Sequence, residues 1–247
     1  MGIKKQDLDS EQALLKDRQV IRTKFILKKI YLDFYNQIKK TTFVDGKIVE
    51  IGSGAGFIKE VIPGVITSDV IKSPDIDKVF FAEKMPFKNS SIAAFLMIDV
   101  LHHVKNPIKA FKEMQRCLKN GGKIIMIEPF NSTLAGLIYK YIHYEHFDPK
   151  AGWEVKGERR MSDSNTAMPW IIFVRDRVKF EKKFPKLKII KVKSHTPIRY
   201  LFSGGLSKWQ LLPNFLYPIL KLTEKLLTPL NPLIGMFVTI GLEKNEN

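Results

Sequence analysis

The stretch Val49-Glu50-Ile51-Gly52-Ser53-Gly54-Ala55-Gly56-Phe57 sets three glycines at alternate positions directly after a short apolar run. Glycine at a strand end permits positive φ and lets the backbone come close to a bound molecule. The amides of such a turn then face the ligand. A dinucleotide-binding turn spaces its glycines as G-x-G-x-x-G. Here Phe57 takes the third place, so the small residue that closes helix–strand packing around a pyrophosphate is missing. The turn suits a nucleoside whose chain is not a pyrophosphate. Asp69 ends the next apolar run, where a carboxylate can accept hydrogen bonds from both ribose hydroxyls. A structural turn or a surface carboxylate would look the same alone; together they point to a nucleoside site.

Groups for proton transfer lie further on. Histidine titrates near neutrality and is the natural general base. His102 and His103 follow the fourth apolar run, and His103 is the first candidate. The segment Tyr141-Ile142-His143-Tyr144-Glu145-His146-Phe147-Asp148 supplies His143 and His146. Histidine and carboxylate are suitable metal ligands, but the spacing matches no specific metal motif, so no metal is assigned. Glu128, at the end of the fifth run, is a candidate substrate contact, and Cys117 reads as inert packing.

These residues need a scaffold. Residues 9–40 read as one helix, capped by Asp9 or Ser10, with Leu14, Ile21, Phe25, Ile26, Ile30 and Phe34 at helical spacing. After Asp45-Gly46, apolar strands at 47–51, 65–69, 78–82, 92–98 and 123–128 alternate with helices, the pattern of βαβ units. One helix is expected at 55–61. Another starts at Asn106-Pro107 and stops at Asn120-Gly121-Gly122. A helix at 170–184 and strands at 186–193 and 236–242 complete the pattern. The expectation is a single α/β domain over 1–247, doubly wound on a mostly parallel seven-stranded sheet. Within it lie an N-terminal helical cap (1–41), a cofactor-binding core (42–130) and substrate-side insertions at 131–168 and 196–233.

Composition narrows the class. The chain has one cysteine among 247 residues, which excludes an intramolecular disulfide and gives no sign of an oxidising compartment. The N-terminal residues carry no apolar run like a signal peptide, and Gln6 breaks the myristoylation pattern of Met1-Gly2. Cytoplasmic location is expected. The net charge of +16 can attract anionic lipid, nucleic acid or an anionic ligand.

In order and spacing the motifs resemble the class I S-adenosylmethionine (SAM)-dependent methyltransferases, in particular the ubiquinone/menaquinone-biosynthesis type (methyltransferase type 11). The resemblance runs through the glycine turn, Asp69, Ala82-Glu83-Lys84-Met85-Pro86-Phe87, Asp99-Val100-Leu101-His102-His103-Val104 and Asn106-Pro107. It ends with Arg116-Cys117-Leu118-Lys119-Asn120-Gly121-Gly122-Lys123 and Glu128-Pro129. It implies a Rossmann-like fold and SAM as cofactor. Glu50 and the turn with Gly52, Ser53, Gly54 and Gly56 would contact the methionine half, and Asp69 the ribose. Ala82 and Glu83 would lie against the adenine, and Asp99 would line the floor near the sulfonium. Two positions depart from the family: Phe81 stands where an adenine-binding Asp is frequent, and Ala93 where a strand Asp is common.

The acceptor is read from the remaining chain. The N-terminal helix interleaves Lys16, Arg18, Arg22, Lys24, Lys28 and Lys29 with apolar residues, and 196–233 carries Tyr200, Phe202, Trp209, Phe215 and Tyr217. The pair could form a greasy lid or lie on an anionic membrane surface; both could equally pack onto the sheet. The expected acceptor is a small apolar or lipid-linked molecule, with peripheral contact to the inner face of the membrane. The alternatives are a nucleic-acid methyltransferase and a non-catalytic SAM-binding protein. Against the first, Ile98-Asp99-Val100-Leu101 stands where amino-group methylation of nucleic acid expects an N/D-P-P-Y/F motif.

Overall fold

A computed structural model describes residues 10–42, 44–143, 145–157, 159 and 163–245. Met1, Gly2, Gln6 and Asp9, discussed above, and Tyr144 lie outside the described residues. Their strands form a seven-stranded sheet of β1 (Ile48–Ile51), β2 (Ile66–Asp69), β3 (Lys78–Val79), β4 (Ile92–Ile98), β5 (Leu118–Pro129), β6 (Leu187–His195) and β7 (Phe237–Lys244). The order is β3-β2-β1-β4-β5-β7-β6. The first five strands are parallel, and β7 runs antiparallel between β5 and β6. The expected doubly wound fold is what forms.

Every residue of β4 is buried, as for a strand covered on both faces. Its alternate side chains feed two cores. Phe95 and Met97 pack with Ile124, Met126 and Phe111 on one face; Ala94, Leu96 and Ile98 pack with Ile125 and Ile127 on the other. That second face is covered by the N-terminal region, which forms two helices rather than one: α1 (Glu11–Thr23) and α2 (Phe25–Thr42). Ser10 caps α1 by accepting from the Ala13 amide at 3.2 Å. The break is at Lys24, in extended conformation with ψ 107. Its ammonium donates to the carbonyls of Gly205, at 2.7 Å, and Lys208. A straight helix could not hold α2 on the sheet while α1 crosses the strand ends. The buried face of α2 includes Ile26, Leu27, Ile30, Phe34, Tyr35 and Ile38, so the apolar stripe of this region is spent on the core.

The helix expected at 55–61 is reduced to a 3₁₀ turn at Ile58–Glu60. The amides it would have used find other acceptors: Gly56 donates to the Ser53 carbonyl at 2.7 Å and Phe57 to the Tyr35 hydroxyl at 3.0 Å. With two glycines in three residues, a short helix there has little to hold it. Helix α3 (Pro107–Cys117) is capped by the Asn106 side chain, which accepts from Lys109 at 2.9 Å. It ends before the expected Asn120-Gly121-Gly122, because Leu118 already pairs with Ile92 and the ladder resumes at Ala94–Lys123.

The first insertion begins with α4 (Thr133–Tyr141). The helix expected at 170–184 is three pieces: α5 (Met168–Trp170), a π turn at Ile171–Arg175 and α6 (Arg177–Lys183). The second insertion folds as α7 (Arg199–Ser203), α8 (Tyr217–Leu226) and α9 (Asn231–Ile234) with intervening 3₁₀ turns.

Candidate functional site

Strand β1 continues to β2 on one side and its other neighbour is β4, which leads away to β5. The strand order therefore reverses between β1 and β4, and open α/β sheets bind ligands at the carboxyl ends beside such a reversal. A cavity of ≈ 210 Å³ opens there. One water needs roughly 10–15 Å³ on this measure, so the space takes an organic molecule rather than an ion. Glu50, Gly52, Ser53, Gly54, Gly56, Asp69, Ala82, Glu83 and Asp99 all line it, as does His103.

The glycine turn is set by its neighbours. Gly52 has φ +67, and a Cβ there would stand 2.5 Å from Val100 Cγ2. A Cβ on Gly56 would stand 2.5 Å from the Tyr35 hydroxyl oxygen. Asp69 closes the turn: its Oδ2 accepts from the Gly54 amide at 2.9 Å, and its Oδ1 from Val70 and Ile71 at 2.7 and 3.0 Å. An ionised carboxylate offers about four acceptor directions, so capacity remains for ligand hydroxyls. From above, Arg18 of α1 donates to the Gly54 carbonyl at 2.9 Å and pairs with Asp75. Leu14, Asp17 and Ile21 of α1 and Tyr31 and Tyr35 of α2 complete the wall.

Glu50 is 2% exposed, and its Oε2 has no hydrogen-bond partner among the described residues. Burial pushes its carboxyl up to about 7; a hydrogen bond from Ser53 opposes the shift and the nearby Asp69 charge adds to it. An orphaned carboxylate oxygen in a cavity wall fits a ligand that brings a positive group. Phe80, Ala82 and Glu83 stand on the wall beyond Asp69, whereas Phe81 is 45% exposed and outside the cavity. The departure at Phe81 thus leaves the lining unchanged.

The other end carries the titratable groups. Asp99 has φ +62, a conformation tolerated by Asp but frequent at functional turns. Glu128 is fully buried; its Oε1 accepts from the Val100 and Leu101 amides at 3.0 and 2.9 Å, and its Oε2 lies 3.1 Å from His102 Nδ1. The other ring nitrogen of His102 is 3.4 Å from Glu145 and 3.8 Å from Asp99. Burial disfavours the charged ring, but the bonds to Glu128 and Glu145 and the Asp99 charge outweigh it and hold the His102 pKa well above its usual value. Burial likewise works against the Glu145 anion, yet His102 brings it down to about 2. Asp99 is pushed up to about 7 by burial, with His102 opposing and Glu145 and Glu128 adding. His103 Nε2 lies 4.0 Å from the other oxygen of Glu145.

Among the described residues, His102, His103 and Glu145, and separately Asp99, His102 and Glu128, bring metal-ligand types within 4.8 Å of one another. His143 is half-buried, edge-on to Tyr139 at 5.6 Å, and its Nδ1 accepts from the Glu145 amide at 3.3 Å. His146 is exposed, and neither of these two lines the cavity. Glu145, between them, does. Sequence reasoning named His102 beside His103 and Glu145 within the histidine segment, but did not bring the two together. Arg18, Tyr35 and Leu206 gave no signal, because they read as a helix charge, core and loop.

Residues 49–126 match the family model of the methyltransferase domain. A curated relative, an uncharacterized protein of Methanocaldococcus jannaschii, is 36% identical over 103 residues, 38% of this chain and 50% of that protein. The chain thus spans half the length of that relative. Among solved structures, a SAM-dependent methyltransferase of Thermotoga maritima aligns with TM-score 0.57 and 18% identity over 94% of this chain and 99% of that one. A chain of the complex between the Haloferax volcanii Trm112 methyltransferase activator and a methyltransferase aligns with TM-score 0.54 and 13% identity, covering 99% of this chain and 100% of that one. At these identities the structures share the fold.

Proposed function

We propose that this chain, with a methyltransferase domain at residues 49–126, moves a methyl group from SAM to a small acceptor, apolar or lipid-linked, as a methyltransferase of the ubiquinone/menaquinone-biosynthesis type. The observation that carries the reading is the pairing of two carboxylates across one glycine turn. Glu50 offers an unpartnered buried oxygen, and Asp69 is anchored by three amides. Bound SAM supplies a sulfonium whose methyl group is open to in-line attack. Glu50 then takes the positive end of the methionine chain, Asp69 the ribose hydroxyls, and Phe80, Ala82 and Glu83 the base. Asp99 forms the floor where the cationic centre sits. No covalent enzyme intermediate is needed; the protein aligns the acceptor and excludes water.

Of the histidines proposed as bases, His103 lines the cavity while His143 and His146 stand outside it, so the base role rests on His103, whose Nε2 has the Glu145 carboxylate 4.0 Å away. The lining carries Asp17, Glu50, Asp69, Glu83, Asp99 and Glu145 against Lys105. That surplus of negative charge favours a neutral or cationic acceptor and opposes a phosphate backbone, which argues against the nucleic-acid alternative. No helix among the described residues is long and apolar enough to cross a membrane. The same reading places the protein in the cytoplasm with peripheral contact to the membrane's inner face.

Calorimetric titration with SAM and S-adenosylhomocysteine tests the site. Asp69→Ala is expected to weaken binding by about 1.5–3 kcal/mol, the range for hydrogen bonds to a charged group. Wild-type affinity in that variant removes Asp69 from the site. Release of S-adenosylhomocysteine on incubation with lipid extract, but not with RNA or aqueous extract, is the outcome expected for the acceptor class.

A further inference from the structure

Helix α8 is apolar on two opposite sides. Tyr217 and Leu220 face inward with Glu224, while Ile219, Leu222 and Leu226, at i, i+3 and i+7, are exposed. Helix α4 repeats the arrangement: Ala135 and Tyr139 are buried, and Leu134, Leu137 and Tyr141 face out. A helix apolar all round belongs in a buried setting, yet these two have cover on one side. They join through α9, which packs against α4 and follows the 3₁₀ turn after α8. Leu230 and Leu233 extend the surface between them, and Leu211, Phe215 (76% exposed) and Trp209 (90% exposed) extend it at the other end. An exposed apolar surface spread over several elements marks an interaction site rather than ordinary surface scatter.

Its charges select the partner. In the segments 132–143 and 204–235 the only carboxylate is Glu224, buried in an ion pair with Arg199 at 2.5 Å. The exposed charges are Lys140, Lys208, Lys221 and Lys225, interleaved with the apolar residues. Lys221 also pairs with Asp33 of α2 at 3.1 Å, leaving Lys140, Lys208 and Lys225 as the cations that face a partner. Apolar rows edged by lysine, with a highly exposed Trp, match the boundary between acyl chains and anionic headgroups. The surface also leads into the cavity along the chain. Glu145, just beyond α4, and Leu206, just before Trp209, both line it.

We infer that α4, α8, α9 and the 209–216 segment form one docking face for an anionic lipid bilayer, which delivers a lipid-associated acceptor to the Asp99–His103 end of the cavity. This deepens the peripheral-contact reading above and moves it: of the basic N-terminal helices α1 roofs the cavity and α2 lies on the sheet, and the insertions carry the lipid contact.

The test is co-sedimentation of the full chain with vesicles of phosphatidylcholine mixed with phosphatidylglycerol, compared with phosphatidylcholine alone. Binding is expected to the anionic vesicles and to weaken with added salt. The double variant Leu222→Ser, Leu226→Ser should lower the partition coefficient by on the order of tenfold or more. Lys140→Glu with Lys225→Glu should remove the preference for anionic vesicles while the apolar residues stay intact. S-adenosylhomocysteine affinity, measured on each variant, should not change; if it is absent throughout, the cofactor reading fails and the docking face is judged by the vesicles alone. Equal binding of wild type and the leucine variant to anionic vesicles overturns the inference. So does a wild-type dimer in solution that the leucine variant breaks, which would make the face a contact between two copies.

Discussion

Gly52 and Gly54 share a turn but answer to different constraints. Gly54 has φ +42, and a Cβ there would meet nothing nearer than Asp69 Oδ2 at 3.6 Å, whereas Gly52 would clash with Val100 at 2.5 Å. Gly54→Val is therefore expected to lose SAM binding, because a β-branched side chain strains that conformation and fills the approach to the ligand. It should keep its fold. Gly52→Val should lose both, since the clash lies in the packing between the ends of β1 and β4. Circular dichroism beside calorimetric titration separates the two outcomes; normal SAM binding by the Gly54 variant means that the ligand lies elsewhere. The same scale explains why Glu50 can be assigned a role. A carboxylate in β1 could have been an edge residue, and only its burial and unpartnered oxygen mark it as waiting for a charge.

At the scale of elements, α1 does work that a glycine turn normally leaves to the helix following it. That helix is a single 3₁₀ turn here, and the space over the turn is closed from the N-terminal side by Arg18, Tyr31 and Tyr35. Arg18→Ala removes the donor to the Gly54 carbonyl and the partner of Asp75. It should loosen α1 and raise the SAM dissociation rate by on the order of tenfold, the effect of one charged hydrogen bond. The sheet should melt as before. Stopped-flow displacement by excess S-adenosylhomocysteine measures the rate; an unchanged rate would mean that α1 does not guard the cavity. The Lys24 break has the same logic, because its ammonium is held by the 205–208 loop of the second insertion. Roof and docking face are thereby joined.

For the whole molecule, the buried titratable groups set a pH profile for the ligand-free protein. Glu50 and Asp99 have carboxyls raised to about 7. Between their ordinary values and that point the native state binds more protons than the unfolded chain. Their stabilisation is thus present at low pH and lost as pH rises through about 7. His102, raised above its usual value, acts in the same direction. Glu145 and His195 act oppositely. Glu145, held at about 2, stabilises above the ordinary carboxylate value of 4.5 and loses that contribution as pH falls toward 2. His195, pushed down to about 3 by burial, costs stability as pH falls below 6.5, offsetting one of the two raised carboxyls there and leaving the steeper decline above 6.5. Thermal melting should therefore be highest in mildly acidic buffer and decline through neutrality, and Glu50→Gln should flatten the decline. A melting temperature that climbs steadily through neutral pH would contradict the buried acid pair. Bound SAM should reduce the decline, since a positive group beside Glu50 favours its ionised form.

Much of this molecule is written in short-range pattern. Apolar runs of strand length, the Asn106-Pro107 start signal and the glycine turn are local facts, and each follows from backbone sterics or from the need to bury one side of an element. They determine the doubly wound sheet, the glycine turn and Asp69; Ala82, Glu83 and Asp99 were reached through the family resemblance, and all of them line the cavity. The break at Lys24, the missing helix after Phe57 and the early end of α3 were not legible, because each depends on a partner distant in sequence. Lys24 needs the carbonyls of Gly205 and Lys208, Phe57 needs the Tyr35 hydroxyl, and Leu118 needs Ile92. Glu145 and His102 were visible as residues but not as a pair, since His102 lies in the 3₁₀ turn after β4 and Glu145 beyond α4, which follows β5. Proximity across a sheet is a property of topology. Likewise the periodicity of α2 and α8 marks an apolar face without saying what covers it. Tertiary packing alone decided that the stripe of α2 meets the sheet, while the second stripe of α8 meets solvent.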